Sequence, residues 1–168
     1  MKSKSSSNSK TVKTAQILPP DANAYGTLFG GKLMAYIDDV AAIAAVRHAR
    51  NIVVTASTDS VDFLHPIQVG DSIIVEGFVT SVHKTSMEVF VRVVKEGLLT
   101  AEKRVCATAF LTFVALDENS RPIAVPQVYP ETELEKKLHK EAKIRREHRN
   151  ERRKESQQMA EIFNVEEL

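Results

Sequence analysis

The chain has 168 residues, a hydrophobic share of 43 % and a net charge of +1. That length favours one domain with an appendage, and the near-neutral balance points the chain as a whole toward neither nucleic acid nor an anionic surface. A single cysteine, Cys106, excludes an intramolecular disulfide, and no apolar run approaches the roughly 18 residues of a membrane span.

The opening "MKSKSSSNSK" is polar and serine-rich. The apolar core of a secretory signal, roughly 7–15 residues, does not follow it. Residues 1–10 therefore read as disordered, and the protein as cytoplasmic. "TVKTAQIL" (11–18) reads as a strand that stops at Pro19-Pro20, and "DANAYGTLFGG" as a loop rich in Asn, Asp and Gly. From about Gly31 to His48 the sequence predicts one helix, because Leu33, Ile37, Val40, Ala41 and Ala44 recur at helical spacing. Arg47, His48 and Arg50 suit its C-terminal dipole.

Four segments rich in Val, Ile, Phe and Thr follow: "NIVVTASTDSVDFL", "DSIIVEGFVTSVHK", "SMEVFVRVVKE" and "TAEKRVCATAFLTFVAL". Turn signals separate them, so they read as long strands in a meander. "SMEVFVRV" alternates cleanly, with Met87, Val89, Val91 and Val93 on one side and Glu88, Phe90 and Arg92 on the other. The fold class is thus α+β, one antiparallel sheet wrapped around one helix. The sheet covers only one side of a helix that is apolar around most of its circumference, so a partner subunit is expected to cover the rest. Residues 129–168 form a charged helical extension whose apolar stripe (Leu134, Leu138, Ala142) is confined to its start.

Two features of the long helix point to chemistry. A helix start presents unpaired N–H groups and partial positive charge, and glycine lets another molecule come close to them. Gly30-Gly31 at that point can cradle a carbonyl oxygen that becomes anionic; the same pair would also serve plain packing of helix on sheet. Asp38 shares its face with Met34, Ala41, Ala42 and Ala45, where a carboxylate is costly to desolvate. It is a candidate general base or nucleophile, the alternative being a surface carboxylate or a buried ion pair. Asp39 points elsewhere, toward the side of Lys32, and reads as structural. Asn23, in the loop before the helix, carries an amide able to hold a water or a carbonyl, and equally a turn. Gly31 and Asp38 lie roughly 10 Å apart along one axis, too far to serve one carbonyl from a single chain. A twofold dimer with antiparallel central helices would bring Gly31 of one chain near Asp38 of the other.

"DANAYGTLFGGKLMAYID", "FLHPIQVGD", "HKTSMEVFVRV" and "RPIAVP" together resemble the hotdog-fold acyl-CoA thioesterases, over about residues 10–128. The resemblance implies a hotdog domain over residues 11–128, a homodimer as the minimum unit and a trimer of dimers above it. It places the catalytic aspartate at Asp38, the loop asparagine of the opposite subunit at Asn23, and the N–H that polarises the thioester at Gly31, aided by Gly30. It sets Lys84, Thr85 and Ser86 near the coenzyme A arm, and Arg121 is added as a second cation behind Lys84. Tyr25 and Asp39 depart from many relatives.

The implied reaction is hydrolysis of fatty acyl-CoA to fatty acid and coenzyme A. Asp38 activates water or attacks the thioester directly. The coenzyme A thiol is acidic enough to leave without a strong general acid. The sequence carries no G-x-S-x-G, G-x-x-x-x-G-K-S/T, H-E-x-x-H or C-x-x-C motif, and no metal or redox cofactor is called for. His65 reads as a turn residue and Cys106 as a small core residue. Three rivals stay open: a hotdog dehydratase, a non-catalytic coenzyme A-binding module, and a nucleic-acid-binding module using "KIRREHRNERRK". Seven glutamates, from Glu131 to Glu155, interleave the charged tail that holds this stretch, which favours a solvated helix or an oligomer contact.

Overall fold

The computed structural model describes residues 2–163. In chain order the elements are β1 (Lys4–Ser5), β2 (Thr11–Gln16), α1 (Gly30–Ala49), β3 (Ile52–Phe63), β4 (Ser72–His83), β5 (Ser86–Glu96), β6 (Lys103–Leu116), β7 (Val128–Tyr129) and α2 (Glu133–Ile162), with 3₁₀ turns at Ser6–Ser9 and Pro19–Asp21. Five of the strands make one antiparallel sheet, ordered β2-β4-β5-β6-β3.

Alternation decides the two faces of that sheet. Met87, Val89, Val91 and Val93 of β5 are fully buried with Ala107, Ala109, Leu111 and Phe113 of β6. They face Leu33, Ile37, Val40, Ala41 and Ala44 of α1, the stripe its periodicity predicts. Gly77 of β4 lets the helix come close. A Cβ there would sit 3.1 Å from Val40 Cγ1 and 3.1 Å from Val91 Cγ2. The helix ends at Arg50, whose left-handed backbone breaks the repeat.

β4, β5 and β6 form the expected meander, but β3 does not join it beside β4. It runs along the far edge, paired with β6 from Ile52↔Leu116 to Phe63↔Ala107. The connection that follows is pinned to the opposite side. Ile67 O accepts from Leu28 N at 2.8 Å, and Gly70 N donates to Ile17 O at 2.9 Å. The chain is thereby carried across to pair β4 with β2.

Residues 1–10, expected to be disordered, are ordered over the part described. β1 pairs in parallel with β7. Ser6 and Ser9 are fully buried, and Ser9 Oγ accepts from Val79 N at 2.9 Å. The Ser9 hydroxyl satisfies a buried backbone N–H, a role that composition does not distinguish from a solvated tail, while the Ser6 hydroxyl has no partner among the described residues. Ser7 Oγ donates to Glu135 Oε1 at 2.9 Å, linking this segment to the start of α2. Glu135 also accepts from the N–H groups of Glu131 and Thr132, while Thr132 caps the helix. Burial pushes the Glu135 carboxyl up, but these hydrogen bonds outweigh it and leave its pKa lowered.

The outer face of the sheet carries α2. Leu138 packs with Phe78 and Phe90, with Phe110 alongside. Beyond that apolar start, charge takes over. Arg145 pairs with the buried Glu88 at 2.8 Å, and the Thr80 hydroxyl donates to the same carboxylate at 2.6 Å. Arg149 and Arg152 reach Asp59 of β3 at 3.5 and 2.8 Å. Arg145, Arg149 and Arg152 recur at spacings of four and three, so one face of a nearly all-charged helix is docked (not solvated as expected), and the two carboxylates set its register. Asp39 also finds another partner than expected: it pairs with Lys13 at 2.7 Å, while Lys32 reaches Asp21.

His48, in the last turn of α1, is fully buried. Its Nε2 lies 2.7 Å from Pro126 O, so this nitrogen carries the proton, and Nδ1 has no partner among the described residues. Burial lowers the His48 pKa, the bond to Pro126 raises it in part, and the Lys4 ammonium lowers it again. Protonation would put an N–H at Nδ1 with no acceptor. The folded pKa thus lies below the unfolded value of 6.5, and the unfolded chain binds the extra proton first. Stability from this group is full above pH 6.5 and is lost as pH falls through the window beneath it. We expect the melting temperature to drop across that window, and to drop less in His48→Gln; thermal melts between pH 5 and 8 check this, and parallel profiles would refute it.

Candidate active site

The loop before α1 is held by Asn23. Its Oδ1 accepts from Tyr25 N at 2.9 Å and from Thr27 N at 3.2 Å, and its Nδ2 donates to Thr27 Oγ1 at 2.9 Å. In one protomer Asn23 is therefore a turn-former, with the second Nδ2 hydrogen left over. The turn delivers the chain to Phe29 and the start of α1. Among the described residues, the N–H groups of Gly30 and Gly31 meet no backbone acceptor outside the helix. As the first two residues of α1 they have none inside it either. A Cβ on Gly31 would come within 2.6 Å of the exposed Phe29 ring, so glycine keeps that ring folded over the helix start. Phe63, at the end of β3, lies beside Gly30.

Asp38 lies two turns further along α1 and is half-buried. The Thr55 hydroxyl on edge strand β3 donates to its Oδ1 at 3.0 Å. One carboxylate oxygen is thus fixed, and lone pairs remain on the other for a water or an acyl carbon. Thr55 is a candidate site residue that sequence reading missed. A threonine in a strand is too ordinary to stand out, and only the pairing of β3 at the edge beside α1 brings it to Asp38.

The remaining candidates separate. Thr85 and Ser86 sit at the tip of the β4–β5 hairpin, where Lys84 adopts φ 49°. The tip is tied down by Ala115 N donating to Thr85 O and Val125 N donating to Lys84 O, both at 3.0 Å. Thr85 and Ser86 line a groove of about 710 Å³ together with Ala56, Ser57 and the second half of α2. Lys84 and Arg121 do not line it. Arg121 is exposed on the turn after β6, its N–H bonded to Asp117. Cys106 is a buried core residue, as expected, and burial pushes its thiol up.

One protomer therefore carries two separated candidate groups. The donors at Gly30-Gly31 and the Asn23 loop form one; the Asp38–Thr55 pair forms the other. Between them lies an uncovered face. Met34, Ile43 and Val46 of α1 are exposed, and so are Ile52, Val54 and Phe63 on the unpaired edge of β3. A long apolar edge of this kind is a template for pairing with another strand.

A long helix wrapped by a five-stranded antiparallel sheet, with glycines at its start and an aspartate two turns in, defines a hotdog-fold thioesterase. The thioesterase superfamily model matches residues 25–102. An uncharacterized acyl-CoA thioester hydrolase of Bacillus subtilis is 56 % identical over 90 % of this chain and 88 % of its own length. An apo-hexameric acyl-CoA thioesterase superposes with a TM-score of 0.88 at 51 % identity, covering 90 % of this chain and 97 % of that one. The acyl-CoA hydrolase of Staphylococcus aureus, solved with butyryl coenzyme A, coenzyme A and coenzyme A disulfide, superposes at 0.91 with 47 % identity over 94 % of this chain and 96 % of its own. The chain belongs to this family of acyl-CoA thioester hydrolases. Alanine variants of the S. aureus enzyme have been solved at an asparagine, an aspartate and a threonine, which stand 15 and 17 positions apart, as Asn23, Asp38 and Thr55 do here. Among the described residues, no helix is long and apolar enough to cross a membrane.

Proposed function

We propose that this chain hydrolyses acyl-CoA thioesters to a carboxylic acid and coenzyme A, at sites shared between two protomers. The observation that carries the reading is the Asp38 carboxylate, held by Thr55 two turns from the unpaired N–H groups at the start of the same helix. Its supports are family membership and the matching spacing of the three polar residues.

In the proposed dimer two copies of α1 lie antiparallel, and the β3 edges join. The thioester carbonyl of the substrate accepts from Gly31 N–H of one protomer, with Gly30 beside it. Asp38 of the other protomer takes a proton from water as the oxygen attacks the carbonyl carbon, or attacks that carbon itself. The tetrahedral oxyanion is held by the helix start, a type of donor worth about 10²–10³ in rate. Collapse breaks the C–S bond and releases the thiolate, which takes up a proton. Asn23, already rigid through Thr27, points its spare amide hydrogen at the water or the carbonyl. The exposed apolar residues of α1 and β3 become the dimer core, and trimerisation of dimers gives the hexamer.

The dehydratase rival needs an available histidine base, and His48 is committed to Pro126 inside the core. The test of the reading is thiol release from acyl-CoAs running from acetyl to palmitoyl, beside hydration of an enoyl-CoA. Thioester cleavage without hydration is expected. Hydration without cleavage would overturn the assignment.

A further inference from the structure

Strand β3 does not keep one alternation along its length. Cross-strand partners share a face of the sheet, so β6 shows which way each β3 residue points. Val53 and Thr55 oppose Ala115 and Phe113, which are fully buried on the α1 face. Ser57 opposes Thr112, and Ser60 opposes Phe110, both on the face that carries α2. Thr58 and Val61 oppose Leu111 and Ala109, on the α1 face again. Ala56 and Asp59 are extra residues with no partner in this register. In a regular strand Ser57 and Asp59 would share the face of Thr55. Two bulges turn them to α2 instead, while Thr55 stays aimed at Asp38.

The bulged stretch is gripped from α2. The Asp59 carboxylate is 12 % exposed and accepts from Arg152 Nη2 at 2.8 Å, from the Thr112 hydroxyl at 2.7 Å and from the Ser57 hydroxyl. Arg149 Nη1 stands 3.5 Å from it and donates to Thr112 Oγ1 at 2.9 Å. Arg152 reaches the backbone as well, its Nη1 donating to Asp59 O at 2.7 Å. A bulge leaves its extra residue out of the ladder, so the guanidinium stands in for a ladder donor there. The grip matters because β3 is the edge of the sheet, held within the protomer by β6 alone. Thr55 lies directly beside the first bulge. An extra residue at position 54 in place of 56 would pair Thr55 with Val114 and turn its hydroxyl to the outer face.

We propose that Asp59, held by Arg149 and Arg152, is a positioning residue for the thioester reaction. It fixes the place of the bulges in β3 and thereby the aim of the Thr55 hydroxyl at Asp38. Its effect on turnover rests on the function proposed above, while its effect on Thr55 does not. The superfamily model spans residues 25–102, so both arginines belong to a segment outside it, and α2 bears on Asp38 through β3.

A double-mutant cycle of Asp59→Ala with Thr55→Ala tests this. A misplacement of about 1 Å can cost about 10²-fold in rate, so Asp59→Ala is expected to lower kcat about tenfold, with KM within about twofold of wild type. In Thr55→Ala no hydroxyl is left to aim, and the same substitution is expected to change kcat less than about twofold. A merely structural role would cost the same factor in both backgrounds; that result, or an unchanged kcat in Asp59→Ala, overturns the proposal. Asp59→Asn goes through the same cycle as the variant closest in shape. It keeps an oxygen for Thr112 and exchanges charged bonds for weaker neutral ones, so a loss of about threefold is expected, again confined to the background with Thr55 intact. Crystal structures of both Asp59 variants give a readout without turnover. The Thr55 hydroxyl is expected to leave Asp38 Oδ1, and a contact kept at the present 3.0 Å would refute the positioning role. A wild-type protein that cleaves no thioester would refute the proposed function and leave that structural result to decide the role of Asp59.

Discussion

Asp38→Asn is expected to lower kcat for every acyl-CoA by about 10²–10⁴-fold, the usual contribution of a positioned general base. The substitution is close to isosteric, and the new amide oxygen still accepts from Thr55, so the contact that fixes the side chain at 3.0 Å survives. Asp38 is half-buried and makes no ion pair among the described residues, so removing its charge strands no cation there. Helix α1 is held by Leu33, Ile37, Val40 and their neighbours on the other side, none of which the change touches. The circular dichroism spectrum and the elution volume should therefore match those of the wild type. Only the ability to accept a proton or to attack carbon is lost. KM should move little, because the acyl chain and the coenzyme A arm bind elsewhere. Thiol release by the purified variant is the measurement, and turnover within a few-fold of wild type would remove Asp38 from the mechanism.

How far the sequence could be read follows from where each signal resides. The α1 stripe and the alternation of β5 are local patterns, and the structure buries Leu33, Ile37, Val40, Met87, Val89, Val91 and Val93 as those patterns require. Pairing between distant segments is another matter. Nothing in "NIVVTASTDSVDFL" distinguishes a strand beside β4 from one at the far edge. The decision is made by hydrogen bonds that bind Ile67 and Gly70 to residues 28 and 17. Ser9 looks like part of a solvated tail until β4 supplies a backbone N–H that needs an acceptor. The arginines of α2 look like a solvated face until Glu88 and Asp59 are placed under them. Buried polar contacts are specific pairings over long sequence separations, whereas apolar burial leaves a periodic trace in one segment. The site divides in the same way. Asp38 stands out as a carboxylate in an apolar setting, Asn23 and the glycines are picked out by the family resemblance, and Thr55 is found only through its partner.

Mixing two inactive chains should restore activity, and this is the sharper test of how the site is built. Asp38→Asn and Asn23→Ala each remove one half-site, and as homodimers both are expected to be nearly inactive. In a heterodimer of the two, one site has lost both groups, while the other combines the intact Asp38 of one chain with the intact Asn23 and Gly31 of its mate. Random reassociation makes half of the dimers mixed, each with one working site of two, so about a quarter of wild-type turnover should return. Sites contained within one protomer would give no recovery, since each chain would carry its own defect whatever its neighbour. The geometry favours recovery. Asn23 spends its side chain on Tyr25 and Thr27 within its own loop, and Asp38 spends one oxygen on Thr55. Seven residues of one rigid helix separate Gly31 from Asp38, so no loop motion can bring the two together within one chain. Refolding or co-expressing the two variants with different affinity tags, isolating the doubly tagged species and assaying thiol release gives the answer. That species, freed of homodimers, should approach half the wild-type rate, because one site of each pair is whole.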